Sequence, residues 1–461
     1  MMSETLVERL REIVGAEHVF VTEAERMLHS TDQSSYAHAL PEVVVYPAST
    51  AEVSKLVATA HAANIPVVGW GAGTSLEGQP VPTHGGMVID FRRMAEIIEI
   101  HAKDFQVTVQ PGILYRDMNK VLARHGLFFA PDPGANASIG GMIANNAAGT
   151  RTVKYGATRD NVLALEVVLA DGSVIKTGSR SVKQSAGYDL THLIVGSEGT
   201  LGLVTAATLK LAPLPEYFSA ITAAFPSVEA AAEAVYGIMG AALNPAALEL
   251  LDAATVRMLK AEVNFEIVEA PNLFIEFNGA SEAGLAADLE LAEAICRECG
   301  CTDFRSGLGR EAHAQLWEVR HRAFEILVQH HPGLQWIVTD VAVPISDYPA
   351  MVQFANEASA ALGFSRSLIG HAGDGNLHTA LFFDAEGPGV REKVREFTDQ
   401  LVSKALSFGG TCTGEHGVGL GKRKYLVHEY GEGTVELMKQ IKLLLDPKNI
   451  LNPGKVLDVS A

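Results

Sequence analysis

The chain has 461 residues, of which 48% are hydrophobic and 20% are charged, as in globular proteins with large cores. At roughly 100–200 residues per domain, this length predicts two or three domains. The formal net charge of −18 makes an anionic membrane surface a poor partner and, with no basic cluster to offset it, excludes nucleic-acid binding.

The first residues predict a short amphipathic helix, with one apolar face formed by Leu6, Val7, Leu10, Ile13 and Val14. They lack the charged start, apolar run and small-residue cleavage site of a signal peptide. No uncharged apolar run in the sequence is long enough to span a bilayer. We therefore expect no transmembrane segment, and a protein that is cytoplasmic or peripheral to the inner face of the membrane.

A βαβ unit is predicted within residues 41–78. Its first strand is the β-branched run Val43–Tyr46, and its helix begins at the capping-box pair Ser49 and Glu52. Its second strand is Ile65–Val68, which runs into a glycine-rich turn. The unit indicates a sheet with parallel strands near the start of the chain.

Later segments predict more strands: MVIDF, QVTVQPG, LALEVVLADGSVIKTG and GLVTAATLKLAPLP. The last of them runs into Pro213 and Pro215, where we place a domain boundary. Mixed strand and helix signals follow, and Thr434 is predicted to cap a helix that stops at Asp446 and Pro447. The predicted class is α+β throughout.

Three of the four cysteines fall in CRECGC, as Cys296, Cys299 and Cys301. This spacing is compatible with a metal cluster or a redox pair. However, a helix is predicted to end at Gly300, and a fourth ligand is missing nearby because Cys412 is distant in sequence. We interpret the cysteines as structural, and so few of them argue against a secreted disulfide framework.

Three glycine-rich segments occur in the first half: GWGAGTSLEG, PDPGANASIGGMIANNAAGT and VGSEGTLGLVT. A dinucleotide-binding fold would begin a helix directly after the first segment, but the prolines and glycines of QPVPTHGG prevent a regular helix there. The lysine of a phosphate-binding loop is also absent. Exposed backbone N–H groups with the hydroxyls of Thr74 and Ser75 suit a phosphate. Small residues in the other two segments suit close approach to a flat ligand. The three together indicate one long cofactor, and three tight connections are the alternative.

Two histidines, His371 and His378, flank a Gly-Asp-Gly-Asn turn in GHAGDGNLH, and GEHG follows with Glu415 and His416. Two imidazoles and a carboxylate form a ligand set that zinc, manganese or iron(II) accepts while positions stay open for a substrate. On spacing alone, histidines hydrogen-bonded in a core or loop are the alternative. His416 suits either a general base or a support for the neighbouring ligand.

The three glycine-rich segments, in this order, resemble the FAD-binding domain of the vanillyl-alcohol-oxidase superfamily. The second half, with LWEVRH, TDVAVPIS, GHAGDGNLH, GTCTGEHGVG and LLDPKNILNPGK, resembles its D-lactate dehydrogenase and glycolate oxidase branch. The resemblance implies a two-part FAD-binding domain over residues 1–214 and an α+β substrate domain with an antiparallel sheet over 215–420. It further implies that residues 421–461 return to the FAD-binding domain.

The resemblance also implies where FAD would bind. The pyrophosphate is expected at Gly71, Ala72, Gly73, Thr74 and Ser75. The residues expected along the flavin side are Pro131, Ser138, Gly141, Asn145 and Gly149. Those expected to complete the pocket are Glu198, Gly199, Gly202 and Val204. Because the first loop has no histidine and His84 is the nearest one, we expect FAD to be bound without a covalent bond.

By the same resemblance, His371, His378 and Glu415 hold a divalent ion that grips the carboxylate and hydroxyl oxygens of the substrate and acts as a Lewis acid. His416 is then the general base that takes the hydroxyl proton as hydride leaves for the flavin. Arg320 lies on the helix predicted for LWEVRH. Helical arginines are usually solvated, but the resemblance assigns this one to the substrate carboxylate, which a guanidinium binds through two hydrogen bonds.

The 2-hydroxyglutarate branch has a lysine and an asparagine where this sequence has Val338 and Ala380, so a second carboxylate would lack partners. We therefore expect a small monocarboxylate, D-lactate foremost, to be oxidised to its 2-oxo acid. Electrons would leave to an acceptor protein or a quinone, because the sequence carries no nicotinamide, haem or iron–sulfur motif. The alternatives are an FAD subunit of a glycolate oxidase complex with partner subunits, a flavin-binding subunit without chemistry of its own, and a His/His/Glu metal hydrolase with structural glycine loops.

Overall fold

A computed structural model of the chain describes residues 2–263, 266–307 and 310–459. Its strands are β1 (Val19–Phe20), β2 (Val43–Val45), β3 (Val67–Trp70), β4 (Met87–Asp90), β5 (Ile97–His101), β6 (Gln106–Val109), β7 (Leu127–Phe128), β8 (Val162–Val168), β9 (Val174–Gly178), β10 (Leu203–Lys210), β11 (Ala212–Pro213), β12 (Tyr217–Ala224), β13 (Ala247–Leu251), β14 (Asn272–Gly279), β15 (Asp303–Arg305), β16 (Gln335–Val338), β17 (Val341–Ala342), β18 (Ser365–His371) and β19 (Asn376–Phe383).

The α-helices are α1 (Glu4–Val14), α2 (Glu23–Leu28), α3 (Thr50–Ala63), α4 (Tyr115–Leu122), α5 (Ile139–Asn145), α6 (Thr152–Tyr155), α7 (Leu190–Ile194), α8 (Val228–Gly240), α9 (Ala253–Lys260), α10 (Glu282–Glu298), α11 (Arg310–His321), α12 (Ala323–Gln329), α13 (Tyr348–Ala361), α14 (Val390–Ser407), α15 (Leu426–Tyr430) and α16 (Glu432–Leu445). Helices and mainly antiparallel sheets thus alternate along the chain, which confirms the predicted α+β class.

The first sheet has the strand order β1-β2-β4-β3, in which β2, β4 and β3 run parallel and β1 is antiparallel. Helix α3 covers it, and begins where the hydroxyl of Ser49 accepts a hydrogen bond from the backbone N–H of Glu52 at 3.3 Å. The helix ends at Asn64, whose φ of 53° is the left-handed conformation that stops a helix. The predicted βαβ unit is therefore confirmed, with its second strand starting at Val67 instead of Ile65.

The second sheet is antiparallel, with the order β5-β6-β10-β8-β9. Helices α4 and α5 bury Met118, Leu122 and Met142 in the same core as its strands. Ile441 and Leu445 of α16 pack against this core from the far end of the sequence. The predicted strand segment LALEVVLADGSVIKTG contains both β8 and β9, which form a hairpin joined at Asp171-Gly172.

The third sheet is also antiparallel, with the order β15-β12-β14-β13-β18-β19-β16 and with β17 paired to β19. Side chains alternate along its strands, so one face packs against α8, α10, α13 and α14. The other face packs against α9, α11 and α12. This second face carries the histidines that sequence analysis selected.

Two local expectations need correction. Thr434 lies inside α16, which begins at Glu432 because Gly431, with φ of 80°, ends α15 and the chain resumes helical geometry at once. The stop at Asp446 is as predicted. The small-residue segment after Pro131 also contains α5, a helix that its glycines did not predict.

The last residues of α16 and the loop after it are fixed to the first half of the chain by a buried lysine. The ammonium of Lys442 donates to the backbone carbonyls of Thr200 and Leu451, both at 2.8 Å, and pairs with the carboxylate of Asp446. Leu451 in turn forms a parallel bridge with Val67, at the edge of the first sheet. The sheet edge therefore depends on a segment near residue 451.

We expect Lys442→Met to destabilise the protein strongly. It leaves the Asp446 carboxylate buried without its cation, and breaking a buried ion pair costs about 3–5 kcal/mol. Comparing melting temperatures of wild type and variant measures this loss. Lys439→Met, on the same helix at a partly exposed position, is the control and should cost no more than about 0.5 kcal/mol. Equal melting temperatures for the two variants would contradict a stabilising role of Lys442.

Candidate functional site

A cavity of about 1270 Å³ extends from the glycine-rich segments of the first half to the histidine-bearing face of the third sheet. This volume exceeds the usual 300–1,000 Å³ of a small-molecule pocket and suits a large cofactor together with a substrate. The predicted site residues that line it are Gly71, Ala72, Gly73, Thr74, Ser75, Ser138, Gly141, Asn145, Glu198, Gly199, Gly202, Val204, Arg320, His371, His378, Glu415 and His416.

Two predicted residues do not line the cavity, namely Pro131 and Gly149. A side chain on Gly149 would clash with the backbone of Asp132, whose carbonyl oxygen would lie 2.3 Å from an added Cβ. Gly149 therefore has a packing reason to be glycine. The nearest histidine to the first loop, His84, is exposed and lies outside the lining.

The first glycine-rich loop lies directly against the start of helix α5. An added Cβ on Gly71 would come within 2.2 Å of the hydroxyl oxygen of Ser138, so a larger residue at position 71 would displace the side chain that caps the helix. Ser138 caps α5 by accepting from the backbone N–H of Gly141 at 3.3 Å. The small residues therefore create a cavity wall made of backbone, which fits the extended outline of FAD.

The histidine cluster is built by the register of three adjacent strands. Glu249 of β13 lies directly opposite His371 of β18, and Ile369, two residues earlier on the same face, lies opposite His378 of β19. Glu249, His371 and His378 consequently project from one face of the sheet. Glu415 approaches from the loop that follows α14.

The ligand atoms of His371, His378 and Glu415 lie within 4.8 Å of one another. The Nε2 atoms of both histidines are 3.2 Å from Oε1 of Glu415, and the two rings meet edge to face with centroids 5.3 Å apart. Such a set of two imidazoles and one carboxylate fits a divalent transition metal.

Both imidazoles have their other ring nitrogen bound elsewhere. Nδ1 of His371 donates to Oε1 of Glu249 at 2.8 Å, and Nδ1 of His378 donates to the carbonyl oxygen of Thr339 at 3.2 Å. These hydrogen bonds fix the tautomer that presents Nε2 to a metal. Burial disfavours charge on His371, but the carboxylates of Glu249 and Glu415 raise its pKa well above the ordinary value.

Asp340 holds the loop that carries Glu415 and His416. Its Oδ2 accepts from the backbone N–H groups of Glu415 at 2.9 Å and His416 at 2.8 Å, and from the Thr413 hydroxyl at 2.7 Å. Burial opposes its charge, but Lys422 and the nearby histidines hold the pKa of Asp340 well below its usual value. An ionised carboxylate therefore anchors the loop.

His416 lines the cavity, and one of its ring nitrogens is buried without a partner among the described residues. Its ring stacks on that of His378 at 5.0 Å, and its carbonyl accepts from the Gln79 amide at 2.6 Å. Nδ1 is buried and has no hydrogen-bond partner among the residues that the structure describes. Burial lowers the pKa of His416 to about 4, so its imidazole is neutral at pH 7.

Arg320, in the last turn of α11, is buried although most helical arginines are solvated. One guanidinium nitrogen donates to Oε2 of Glu249, which is 0% exposed. Nε of Arg320 is also buried and lacks a hydrogen-bond partner within the described ranges. Arg320 is also one of the residues that line the cavity, so its guanidinium lies between Glu249 and the cavity.

Three residues that organise this site were not predicted from the sequence: Glu249, Asp340 and Lys422. Lys422 lies between Asp340 at 3.4 Å and Glu77, a residue of the glycine-loop region, at 3.2 Å. A charged residue inside the apolar run ALELL was a signal for Glu249. Asp340 lay in the quoted motif TDVAVPIS, but its partners depend on tertiary contacts.

The four cysteines are free thiols, and Cys296, Cys301 and Cys412 are buried. Burial raises the pKa of Cys296, Cys299 and Cys301 above the ordinary thiol value. These are the properties of unreactive core cysteines. In the described ranges, no helix is both long and apolar enough to cross a membrane.

The fold is that of flavoprotein oxidoreductases of the vanillyl-alcohol-oxidase and p-cresol methylhydroxylase type. The 4-ethylphenol oxidase from Gulosibacter chungangensis superimposes with a TM-score of 0.80 at 19% identity, over 98% of this chain and 96% of that one. p-Cresol methylhydroxylase gives a TM-score of 0.77 at 16% identity, over 98% of this chain and 96% of that one. At such identities the likeness concerns the fold alone.

The chain belongs to the FAD-linked oxidase family. Residues 41–178 match its FAD binding domain, and residues 214–456 match the C-terminal domain of FAD linked oxidases. The protein is accordingly an oxidoreductase with an FAD-binding domain, and the resemblance inferred from its motifs is confirmed.

Relatives in this family align along nearly the whole chain. The probable mitochondrial D-lactate dehydrogenase of Danio rerio is 40% identical over 99% of this chain and 92% of its own length. The D-lactate dehydrogenase [cytochrome] of Arabidopsis thaliana is 40% identical over 94% and 76%. Glycolate oxidase subunit GlcD of Bacillus subtilis is 38% identical over 99% and 97%.

Glu198 joins the cavity wall of the first half to the loop after His416. Its carboxylate accepts from the backbone N–H groups of Val418 at 2.6 Å and Gly419 at 2.9 Å, and its own carbonyl accepts from Asn452 at 2.7 Å. Burial is the main influence on this carboxyl group and raises its pKa to about 7.

We expect Glu198→Gln to become more stable than the cofactor-free wild type as pH rises from 5 to 8. Because the folded-state pKa of about 7 exceeds the unfolded value of 4.5, the wild type loses up to about 3 kcal/mol across this interval, and a neutral amide does not. Denaturant unfolding of both proteins at several pH values measures the difference. A difference that stays constant with pH would contradict the raised pKa.

Proposed function

We propose that the protein is an FAD- and divalent-metal-dependent D-2-hydroxy-acid dehydrogenase that oxidises a small monocarboxylate, D-lactate foremost, to the 2-oxo acid. The observation that carries the proposal is the cluster of His371, His378 and Glu415, whose ligand atoms lie within 4.8 Å of one another at one end of the cavity lined by the glycine-rich segments. Relatives named D-lactate dehydrogenase support it.

We assign residues 1–214 to the FAD-binding domain, 215–420 to the substrate and metal domain, and 421–461 to a segment that returns to the first. The FAD binding domain match over 41–178 and the packing of α16 against the second sheet support this division. The backbone of residues 71–75 would hold the pyrophosphate, and the other cavity-lining glycines would border the flavin. Bound without a covalent bond, FAD supplies the hydride acceptor.

His371, His378 and Glu415 would hold the divalent ion, zinc, manganese or iron, which supplies Lewis acidity towards the substrate oxygens. His416, which lines the cavity, takes the hydroxyl proton, because its imidazole is neutral at physiological pH. Arg320 pairs with the substrate carboxylate through the donor capacity that Glu249 leaves free.

The cavity wall beside the histidines favours a monocarboxylate. Val338, Ala380 and Ile369 line it with aliphatic groups, and these side chains offer no hydrogen bond or charge to a second carboxylate placed against them. The reaction product would be the 2-oxo acid, and electrons would leave for an acceptor protein or a quinone. We expect the protein to work in the cytoplasm or at the inner face of the membrane.

A second candidate function is the FAD subunit of a glycolate oxidase complex that needs partner subunits. The GlcD relative of Bacillus subtilis, which aligns over 99% of this chain, favours it. A metal hydrolase is disfavoured because it leaves the FAD-binding domain without a purpose. Turnover of the isolated chain with an artificial electron acceptor separates the dehydrogenase from a dependent subunit.

The test of the proposal is anaerobic mixing of the flavin-loaded protein with D-lactate, L-lactate, glycolate or D-2-hydroxyglutarate, followed by flavin absorbance. We expect D-lactate or glycolate to bleach the flavin, a chelator to abolish bleaching and a divalent metal to restore it. Bleaching by D-2-hydroxyglutarate alone would contradict the monocarboxylate assignment. Bleaching that a chelator leaves unchanged would contradict the role of the metal.

We expect His416→Ala to retain flavin and metal but to reduce the flavin about 10²–10⁴-fold more slowly, because the general base is lost. Rapid-mixing absorbance measures the rate. The control is His428→Ala, which removes an exposed imidazole on α15 and should react like wild type. Flavin reduction at the wild-type rate in His416→Ala would show that another group accepts the proton.

A further inference from the structure

Glu249 is an isolated charge in an apolar strand. It is the sole ionisable residue of β13, ALELL, and is 0% exposed at the centre of the third sheet. A carboxylate at such a position is costly unless both oxygens are paired. Here Oε1 accepts from Nδ1 of His371 at 2.8 Å, and Oε2 accepts from the guanidinium of Arg320.

The two partners of Glu249 have different origins. His371 lies directly opposite Glu249 on the neighbouring antiparallel strand, so the sheet register fixes this contact. Arg320 reaches the same carboxylate from helix α11, on the cavity side of the sheet. One carboxylate therefore joins a candidate metal ligand to the candidate binding group for the substrate carboxylate.

We propose that Glu249 is a positioning residue shared by the metal and the substrate: one oxygen orients His371 towards the ion while the other orients Arg320 towards the substrate carboxylate. This inference rests on the proposed function. Because Glu249 holds both partners from one position on a strand, it would set the distance between the metal ion and the guanidinium of Arg320. Neither the histidine cluster nor Arg320 can set that distance alone.

The shared role has a chemical requirement that an amide cannot meet. An ionised carboxylate accepts hydrogen bonds at both oxygens, whereas glutamine has one acceptor oxygen and an NH₂ group that only donates. In Glu249→Gln, the side chain can accept from His371 or from Arg320, but the other partner faces a donor. Volume and sheet packing stay nearly the same, so a stability effect can be separated from a positioning effect.

The experiment uses the FAD-loaded, metal-stripped protein. Mn²⁺ affinity is measured by calorimetry, and the KM for D-lactate, or for glycolate if that is the better substrate, is measured from flavin reduction. We expect Glu249→Gln to weaken Mn²⁺ binding by about 10–100-fold, as is typical when a partner of a ligating histidine is removed. We also expect KM to rise at least tenfold, with flavin content unchanged.

The matched control is Glu276→Gln. Glu276 is a buried carboxylate on the adjacent strand β14 and contacts His313 at 3.0 Å, but it does not line the cavity. Glu276→Gln should leave the Mn²⁺ affinity and the KM within about threefold of wild type. If Glu249→Gln yields no flavin-loaded protein, Glu249→Asp is measured instead, with the same expectation, because the shorter side chain cannot reach both partners.

Mn²⁺ affinity and KM that both stay within threefold of wild type in the Glu249 variant would overturn the inference while the proposed function stands. A change in one constant without the other would overturn the shared role. Absence of Mn²⁺ binding in the wild type would overturn both the metal centre and this inference, and it would be seen before any variant is measured.

Discussion

The geometry of the site depends on two buried carboxylates that hold different parts of the histidine cluster. Glu249 fixes the ring of His371, and Asp340 fixes the backbone that carries Glu415 and His416. Without these acceptors the ring of His371 and the backbone at Glu415 and His416 would lose hydrogen bonds that hold them in place, and the cluster is assembled from strands and a loop far apart in sequence. Glu249 pairs with Arg320 and His371, and His371 also contacts Glu415. These pairings offset the free-energy cost of burying the carboxylates.

The loop that carries His416 belongs to the second half of the sequence and is held by contacts from both halves: Asp340 is the anchor from the second half, and three residues of the first half add to it. Gln79 binds the carbonyl of His416, Glu77 pairs with Lys422, and Glu198 accepts from the two residues after Gly417. These contacts are short and mostly buried. These contacts thereby hold the loop of His416 against the cavity wall that the glycine-rich segments form.

Local chemistry made much of the fold predictable. The Ser49 cap, the left-handed Asn64 and the β-branched strand at Val43 are decided by neighbours in sequence, and the structure has them as expected. Helix α5 was missed because its glycines have low helix propensity, and packing around Ser138 overrides that propensity. The start of α16 was misplaced because the conformation of Gly431 is not readable from side-chain patterns.

The candidate site was predictable only as far as motifs reach. His371, His378, Glu415 and His416 were selected from two short motifs, and the fold brings them together in one cavity. Glu249 was not selected, because it matters only through its position opposite His371 on the neighbouring strand. That position depends on the strand register, which is a property of the paired sheet. A residue whose role is to position another residue is therefore the hardest kind to predict from sequence motifs.

The bridge between Leu451 and Val67 has a consequence for how the protein is made. The first sheet is synthesised early, yet its β3 edge pairs with residues that emerge from the ribosome hundreds of residues later, and Asn452 then donates to the carbonyl of Val67. Until then an apolar strand edge stays open in the nascent chain. Contacts of such long sequence separation slow folding and expose edges to aggregation, so protection by chaperones during synthesis matters for this architecture.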